Sequence, residues 1–315
     1  MNKDVSNHIK KNNVSGFLTH RDDIKLAGDI RNVFSRYFID GDRSDEVLDL
    51  ELANRRQGEL VSDIEQRLGV PNCYDKDLLI LSAFKNTEDL ILDIGANWGY
   101  TVADLWSYGA GTRILSFEPV KFYAPFLERI KELRSGKYDY KLVALSDHSA
   151  TEKFVVPVVN NLPIFALSTA LNDPCIELMM KNVCFHINNY MKEDAWINVR
   201  MHEFYAPVDT LDNQLNINKS DFSEGQISAI KIDVEGLEGF VLKGARHTIT
   251  KHCPLIMIED GNRRSDVTEF LEMLGYMFCV RVDEKLSFSA AMEDRVNGFF
   301  VHSSRIDEYK NIGIL

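Results

Sequence analysis

Short β-rich runs alternate with helical stretches from residue 88 onward, and this alternation limits the fold more than any other feature. The β-rich runs are Leu90–Ile94, Arg113–Phe117, Tyr140–Ala144, Ala229–Ile232, Leu255–Ile258, Tyr276–Val282 and Phe299–His302. The helical stretches are Tyr100–Tyr108, Ala124–Leu133, Leu237–Lys251 and Asp266–Leu274. This order predicts an α/β fold with a doubly wound, mostly parallel seven-stranded sheet that is covered by helices. No long helix separates the last two runs, so an antiparallel edge is expected.

Two regions depart from this alternation. Residues 1–88 show helical spacing without a chemical motif, and we interpret them as an N-terminal helical extension whose last helix candidate is Asp75–Phe84. Residues 89–315 form the main domain, which carries an insertion around residues 148–206 that is rich in proline and aromatic residues. Insertions near the carboxyl ends of parallel strands usually carry substrate contacts, so we expect this one to do so.

Composition excludes several classes of partner. The formal net charge is −12, and an acidic surface repels phosphate backbones, so a nucleic-acid partner is not expected. No run approaches the ~18 apolar residues of a membrane span. The five cysteines are scattered without a CxxC pair, which indicates reduced thiols and a cytoplasmic protein.

A glycine-bearing turn after the first β-rich run is the strongest chemical signal. The run Leu90–Ile94 leads into Gly-Ala-Asn-Trp-Gly at 95–99, and a helix candidate follows directly. Gly95 and Gly99 permit positive φ and close approach of a ligand, while free N–H groups at a helix start bind carboxylates or phosphates. The spacing lacks the third glycine of a dinucleotide site. With Asp93 ahead of it, the turn suits a ligand that carries both an ammonium and a carboxylate, such as S-adenosylmethionine.

Acidic residues follow three further β-rich runs. Glu118 stands 25 residues after Asp93, which is about the separation at which an acid commonly binds ribose hydroxyls. The other acids follow two later runs in pairs: Asp233 with Glu235, and Glu259 with Asp260. Because the carboxyl ends of parallel strands meet at one edge of the sheet, these side chains should point into the same crevice.

Several motifs occur together in a characteristic order. They are DIGANWGYT at 93–101, SFEP at 116–119, ALSD at 144–147, VDTLDN at 208–213, IKIDVEGLEGFVLKGA at 230–245 and PLIMIED at 254–260. From about residue 89 to residue 302 the chain resembles the FkbM-type methyltransferases. The resemblance implies a class I Rossmann-like enzyme that uses S-adenosylmethionine to methylate hydroxyl oxygens, often on sugars of glycans or natural products.

The same resemblance implies roles for individual residues. Those expected to hold the methionine part of the cofactor are Asp93, Gly95, Asn97 and Gly99. Glu118 is assigned to the ribose, Ser146 and Asp147 to the border of the adenine, and Asp233 and Glu235 to the transferred methyl group and the acceptor. The further residues expected to bind the cofactor are Ala96, Tyr100, Thr101 and Pro119.

Activation of the acceptor leaves two routes open. A neutral alcohol is a poor nucleophile, so either a general base or a metal ion is expected. In the first route Asp233, Glu235 or His202 removes the proton. In the second, Asp233, Glu259 and Asp260 bind Mg²⁺, which prefers oxygen ligands. A nicotinamide-dependent oxidoreductase and a non-catalytic scaffold that keeps the cofactor fold are the alternative interpretations of the chain as a whole.

Overall fold

The structure is a computed structural model that describes residues 75–159, 162–164, 167–170, 179, 182, 199–217, 225–259, 265–288 and 297–315. The helices are α1 Leu78–Leu81, α2 Tyr100–Ser107, α3 Ala124–Leu133, α4 Leu211–Ile217, α5 Glu238–Gly244, α6 Arg246–His252, α7 Ser265–Met273 and α8 Ile306–Asn311. Most of the predicted N-terminal extension lies outside the described residues.

The strands fall in two sheets. They are β1 Leu90–Ile94, β2 Arg113–Phe117, β3 Tyr138–Lys141, β4 Ala144–Leu145, β5 Ala150–Val159, β6 Leu162–Pro163, β7 Thr169–Ala170, β8 Val199–Asp209, β9 Ile227–Ile232, β10 Leu255–Glu259, β11 Tyr276–Val282, β12 Lys285–Ser287 and β13 Asn297–His302. The larger sheet has the order β12-β11-β13-β10-β9-β1-β2-β3.

The larger sheet confirms the α/β class and the mostly parallel arrangement. Strands β10, β9, β1, β2 and β3 run parallel, whereas β13 is antiparallel to both β10 and β11. An eighth strand, β12, joins the edge as a hairpin partner of β11. Sequence patterns missed it because it has only three residues and just one of them, Leu286, is buried. The hairpin turn contains Asp283 in a left-handed conformation, at φ 55°.

Strands β1 and β9 lie side by side at the centre of this sheet. All five residues of β1 and all six of β9 are buried. Successive side chains of a strand point to opposite faces, so a wholly buried strand means that both faces of the sheet are covered. The register pairs Asp93 with Lys231 and Ile94 with Ile232, which brings the carboxyl ends of the two strands together.

Two predicted elements are divided in the structure. The expected strand Tyr140–Ala144 is wrong: β3 ends at Lys141, and the chain leaves β2 so that Ala144–Leu145 can pair with the end of β8. The expected helix Leu237–Lys251 breaks at Ala245 into α5 and α6. The Asp212 carboxylate accepts the backbone N–H groups of His247 and Thr248, both at 2.9 Å. This cap comes from a distant part of the chain, so periodicity within the helix could not reveal it.

The described residues of the segment 152–205 form a compact unit that is distinct from the rest. Strands β8, β5 and β6 are neighbours in it, and β7 pairs with β5. The rings of Phe154 and Phe204 stack with centroids 5.6 Å apart, and Lys153 forms an ion pair with Glu203 at 2.8 Å. Among all described residues, no helix is long and apolar enough to cross a membrane.

Candidate active site

The turn between β1 and α2, residues 95–99, is called the glycine turn below. Gly95, Asn97 and Gly99 all adopt positive φ, at 82°, 52° and 91°. Gly95 and Ala96 donate their backbone N–H groups to the carbonyl oxygen of Phe117, at 3.0 and 3.1 Å, which fixes the turn over the end of β2. Gly99 lies directly before α2, and no side chain caps this helix start. The motif therefore forms the compact strand-to-helix turn that the sequence predicts.

Contacts within the protein require the two glycines. A Cβ atom on Gly95 would lie 1.8 Å from the carbonyl oxygen of Asp233, and one on Gly99 would lie 2.3 Å from the Cδ1 atom of Ile130. From the sequence, these glycines were expected to let a ligand approach closely. In the structure, the backbone after β9 and a side chain of α3 lie so close to the turn that both positions require glycine for packing alone.

Glu118 braces the glycine turn from the end of β2. Its Oε2 atom accepts the backbone N–H of Asn97 at 2.8 Å, and its Oε1 atom accepts that of Val120 at 2.9 Å. The residue is only 5% exposed. Burial raises the pKa of Glu118 to about 7, although the two backbone N–H groups oppose the shift. A carboxylate has about four acceptor positions, so two such bonds leave capacity for ribose hydroxyls.

The segment expected to border the adenine packs against α5. Ser146 is buried and donates its backbone N–H to the carbonyl oxygen of Asp209 at 2.9 Å. A Cβ atom on Gly244 would lie 1.9 Å from the carbonyl oxygen of Ser146, so this segment also depends on a glycine. The Asp147 carboxylate contacts Nδ1 of His148 at 2.8 Å on the surface.

A buried lysine that the sequence analysis missed lies beneath the glycine turn. Lys231 is 4% exposed, and its Nζ atom donates to the carbonyl oxygen of Gly95 at 3.1 Å. The same atom lies 3.2 Å from Oδ2 of Asp233 and 3.6 Å from Oδ1 of Asp93. Burial disfavours its charge, but the two carboxylates outweigh this and raise the pKa of Lys231 well above its ordinary value. The sequence does contain a signal for this residue, because a lysine between Ile230 and Ile232 in an apolar strand must be buried with a partner for its charge.

Asp93 has no exposed surface. Its Oδ2 atom accepts the hydroxyl of Ser116 at 3.0 Å, and its Oδ1 atom, which has no hydrogen-bond partner, faces Lys231. Burial raises the pKa of Asp93, against the opposing effect of Lys231. The aspartate ahead of the glycines is thus a partner of the buried ammonium.

Asp233 lies at the end of β9, where side chains from three elements meet. Its carboxylate forms an ion pair with Lys231 at 3.2 Å, and the side chains of Glu259 at the end of β10 and Tyr100 at the start of α2 lie next to it. Burial raises the pKa of Asp233, but Lys231 outweighs it and the net shift is downward. Lys231 lowers the pKa of Tyr100, yet burial and the nearby carboxylates raise it to about 12, so the phenol keeps its proton. Asp233 and Glu259 are called the strand-end acids below.

Comparison with known families decides the identity of this arrangement. The family model described as the methyltransferase FkbM domain matches residues 93–289, which is more than half of the chain. The chain belongs to the FkbM methyltransferase family. It is therefore an S-adenosylmethionine-dependent methyltransferase, in agreement with the resemblance of its motifs, and not a nicotinamide-dependent oxidoreductase.

Solved structures of other methyltransferases show distant similarity. An FkbM methyltransferase from Methylobacillus flagellatus is 15% identical, with a TM-score of 0.41, and the match covers 78% of this chain but only 59% of that one. A putative O-methyltransferase from Klebsiella pneumoniae is 11% identical over 78% of this chain and 89% of that one, with a TM-score of 0.36. An S-adenosylmethionine-dependent O-methyltransferase from Thermotoga maritima is 12% identical over 77% of this chain and 71% of that one, with a TM-score of 0.36. No curated protein sequence matches the chain.

The other predicted residues of this FkbM methyltransferase lie in different settings. Glu235 lies in the turn after β9 with φ 52°, and the N–H of Gly236 beside it donates to Glu238 at 3.1 Å. His202 lies on β8 within the segment 152–205, the separate compact unit. Asp260 lies outside the described residues.

The magnesium route finds no support in the described part of the chain. No group of three His, Cys, Asp or Glu side chains suited to hold a metal ion occurs among those residues. The ammonium of Lys231 already neutralises Asp233 from 3.2 Å. Two of the three predicted ligands, Asp233 and Glu259, do lie together, and the third, Asp260, lies outside the described residues.

Proposed function

We propose that this enzyme is an O-methyltransferase that methylates a sugar hydroxyl, in a glycan or a glycosylated natural product. The observation that carries the proposal is the carboxylate of Asp233. Its side chain keeps 26% of its surface exposed, while its backbone touches the glycine turn at Gly95. An ionised, accessible carboxylate next to a cofactor turn can accept the hydrogen bond of an alcohol and orient its oxygen. The motif resemblance supports a sugar as the alcohol.

We assign the cofactor to the glycine turn and to Glu118. The buried carboxylate of Glu118 offers acceptor positions for the ribose hydroxyls, and the uncapped start of α2 offers N–H groups to a carboxylate. Ser146 and Asp147 are assigned to the adenine border. Asp93 keeps no surface open to a ligand, so we assign it a role through Lys231 in place of direct contact with the cofactor.

The leaving group of this reaction needs no acid catalysis by the protein. The bound cofactor supplies a methyl group on a sulfonium, which is already an activated leaving group. The chain's own task is to align the acceptor oxygen and to receive its proton. Asp233 has a lowered pKa and is a weak base. It suffices because the hydroxyl proton becomes strongly acidic as the new carbon–oxygen bond forms. Tyr100, which stays protonated, helps to fix the position of the carboxylate.

Incubation with isotopically labelled S-adenosylmethionine and a panel of glycosylated acceptors tests this proposal. We expect mass spectrometry to locate the label on one sugar hydroxyl. The matched control is the same acceptor with that position deoxygenated or already methylated, which should receive no label. Transfer to an amine, a carboxylate or a nucleic acid would contradict the assignment of a sugar hydroxyl.

A further inference from the structure

We propose that Lys231 is a positioning residue that holds the cofactor turn and the acceptor-side acid in one fixed arrangement. The inference rests on the proposed assignment of the glycine turn to the cofactor. It goes beyond that assignment because Lys231 is assigned neither to the cofactor nor to the acceptor, yet it contacts both the glycine turn and Asp233. The sequence motifs give this lysine no role.

The contacts of Lys231 join four elements. Its Nζ atom donates to the Gly95 carbonyl at 3.1 Å and lies 3.2 Å from the Asp233 carboxylate. It forms the longer ion pair with Asp93 of β1, and it lies 5.7 Å from the centre of the Tyr100 ring at the start of α2. Loss of this ammonium would remove a hydrogen bond from the turn and the counter-charge of Asp233 together.

The buried charge of Lys231 depends on its partners. A buried ammonium without partners would be strongly destabilising, so its partners must be present and well placed. The titratable groups that surround Lys231 and Asp233 are Tyr100 on α2, Asp93 on β1, Glu259 on β10 and the more distant Asp75 ahead of α1. Lys231 therefore lies between the carboxylates of Asp93 and Asp233, which would repel each other without its charge.

A purely structural role makes a different prediction. If Lys231 served only to balance the buried charge of Asp93, removing both charges together would restore stability and cofactor binding alike. If it positions Gly95 and Asp233, removing both would restore stability but not binding. The double variant Asp93→Asn/Lys231→Met separates these cases, because the two replacements together remove both charges of the buried pair, while Asp233 stays partly exposed to solvent.

The experiment measures melting temperature and S-adenosylhomocysteine affinity for the wild type, Asp93→Asn, Lys231→Met and the double variant. We expect Lys231→Met alone to melt lowest. The double variant should melt near Asp93→Asn but bind at least about tenfold more weakly than it, as for the loss of charge-assisted hydrogen bonds. Lys131→Met is the control: Lys131 also pairs with an aspartate, at 2.8 Å, but it lies on the exposed surface of α3. It should bind as the wild type does.

Equal affinity of the double variant and Asp93→Asn would overturn the positioning role. Failure of the wild type to bind S-adenosylhomocysteine would instead refute the cofactor assignment itself. Should the double variant not fold, nitrogen-15 spectra of the lysine side chains in the wild type decide the matter, with the Lys231 signal assigned by Lys231→Arg. We expect S-adenosylhomocysteine to shift the Lys231 signal and not that of Lys131. An unmoved Lys231 signal would also overturn the proposal.

Discussion

The glycine turn and the strand-end acids lie at the same edge of the sheet, but different kinds of contact hold them. Backbone atoms make most of the contacts of the turn: the Phe117 carbonyl accepts two of its N–H groups, and the Asp233 carbonyl leaves no room for a side chain at Gly95, while Glu118 and Lys231 add one side-chain hydrogen bond each. Side chains hold the strand-end acids, through the ion pair of Lys231 with Asp233 and the nearby carboxyl group of Glu259.

This difference separates what each half can do. A turn held mainly by backbone contacts keeps its donors and acceptors in fixed positions, which suits the cofactor contact that we propose for it. Side-chain networks can exchange partners when an acceptor hydroxyl arrives, because each lost bond is replaced by another. Substitutions in the two halves should therefore fail in different ways: the turn should lose the cofactor, and the acids should lose turnover.

The largest effect is expected for Gly95→Ala. The added Cβ atom would lie 1.8 Å from the Asp233 carbonyl oxygen, so the turn or β9 must move, and the positive φ of 82° adds strain. Calorimetry should detect no binding of S-adenosylhomocysteine. The matched control is Gly136→Ala, since Gly136 has φ 77° with nothing within 4 Å of a Cβ atom. That variant should lose only about 1–2 kcal/mol of stability and bind normally. Normal binding of S-adenosylhomocysteine by Gly95→Ala would contradict the assignment of the glycine turn to the cofactor.

Asp233→Asn tests the strand-end acids in the same way. Asparagine keeps the shape of the side chain but removes the charge that receives the proton, so turnover should fall by ~10²-fold or more. S-adenosylhomocysteine affinity should change little, because the backbone contacts of the turn remain. The melting temperature of Asp233→Asn is the further control. No side chain caps the start of α5, so a loss of turnover in this variant is not expected to come from a lost helix cap. Near-native turnover would remove Asp233 from the chemistry.

The half fixed by the backbone could be predicted from the sequence. Residues with positive φ and crowded Cα atoms must be glycine, so the constraint is written in the residue type at Gly95 and Gly99. The bounds of β1, β2 and α3 were likewise predictable, because apolar periodicity records burial directly. The six motifs in their order were enough to indicate the family.

The half fixed by side chains could not be predicted in the same way. Lys231 is one letter in a buried strand, and only the register of β9 against β1 shows that it meets Asp93. The break between α5 and α6 depends on Asp212, which precedes α6 by more than thirty residues. Such contacts depend on tertiary placement, which the local pattern does not encode.

Glu118→Gln should give a moderate loss of cofactor affinity. The amide keeps one oxygen acceptor but replaces the other with an NH₂ group that cannot accept the N–H of Asn97 or Val120. We expect affinity for S-adenosylhomocysteine to weaken by about 2 kcal/mol, within the range for hydrogen bonds to charged groups. Glu128→Gln is the control, since Glu128 lies on α3 and accepts the hydroxyl of Tyr140 in an exposed hydrogen bond. Unchanged affinity in Glu118→Gln would make Glu118 a structural brace alone.

The smallest expected effect is a pH dependence of cofactor binding. Burial raises the pKa of Glu118 to about 7. If the ribose hydroxyls donate to the ionised carboxylate, as we propose, the cofactor prefers the deprotonated enzyme, and binding must displace a proton when the pH lies below that pKa. Affinity for S-adenosylhomocysteine should therefore be constant above about pH 8 and fall by about tenfold towards about pH 6.

The variant Glu118→Gln gives this prediction its control, because the amide does not titrate and its weaker affinity should not vary over the same range. Asp233 cannot produce the effect, since its pKa is lowered from 3.8 and it stays ionised throughout. A slope that persists in Glu118→Gln would assign the titration to another group and separate Glu118 from the ribose. A flat wild-type profile would mean that the backbone N–H groups of Asn97 and Val120 already hold the carboxylate ionised without the cofactor. Each half of the site would then contain a carboxylate that is charged at neutral pH. Backbone N–H groups would keep Glu118 ionised, whereas the ammonium of Lys231 keeps Asp233 ionised.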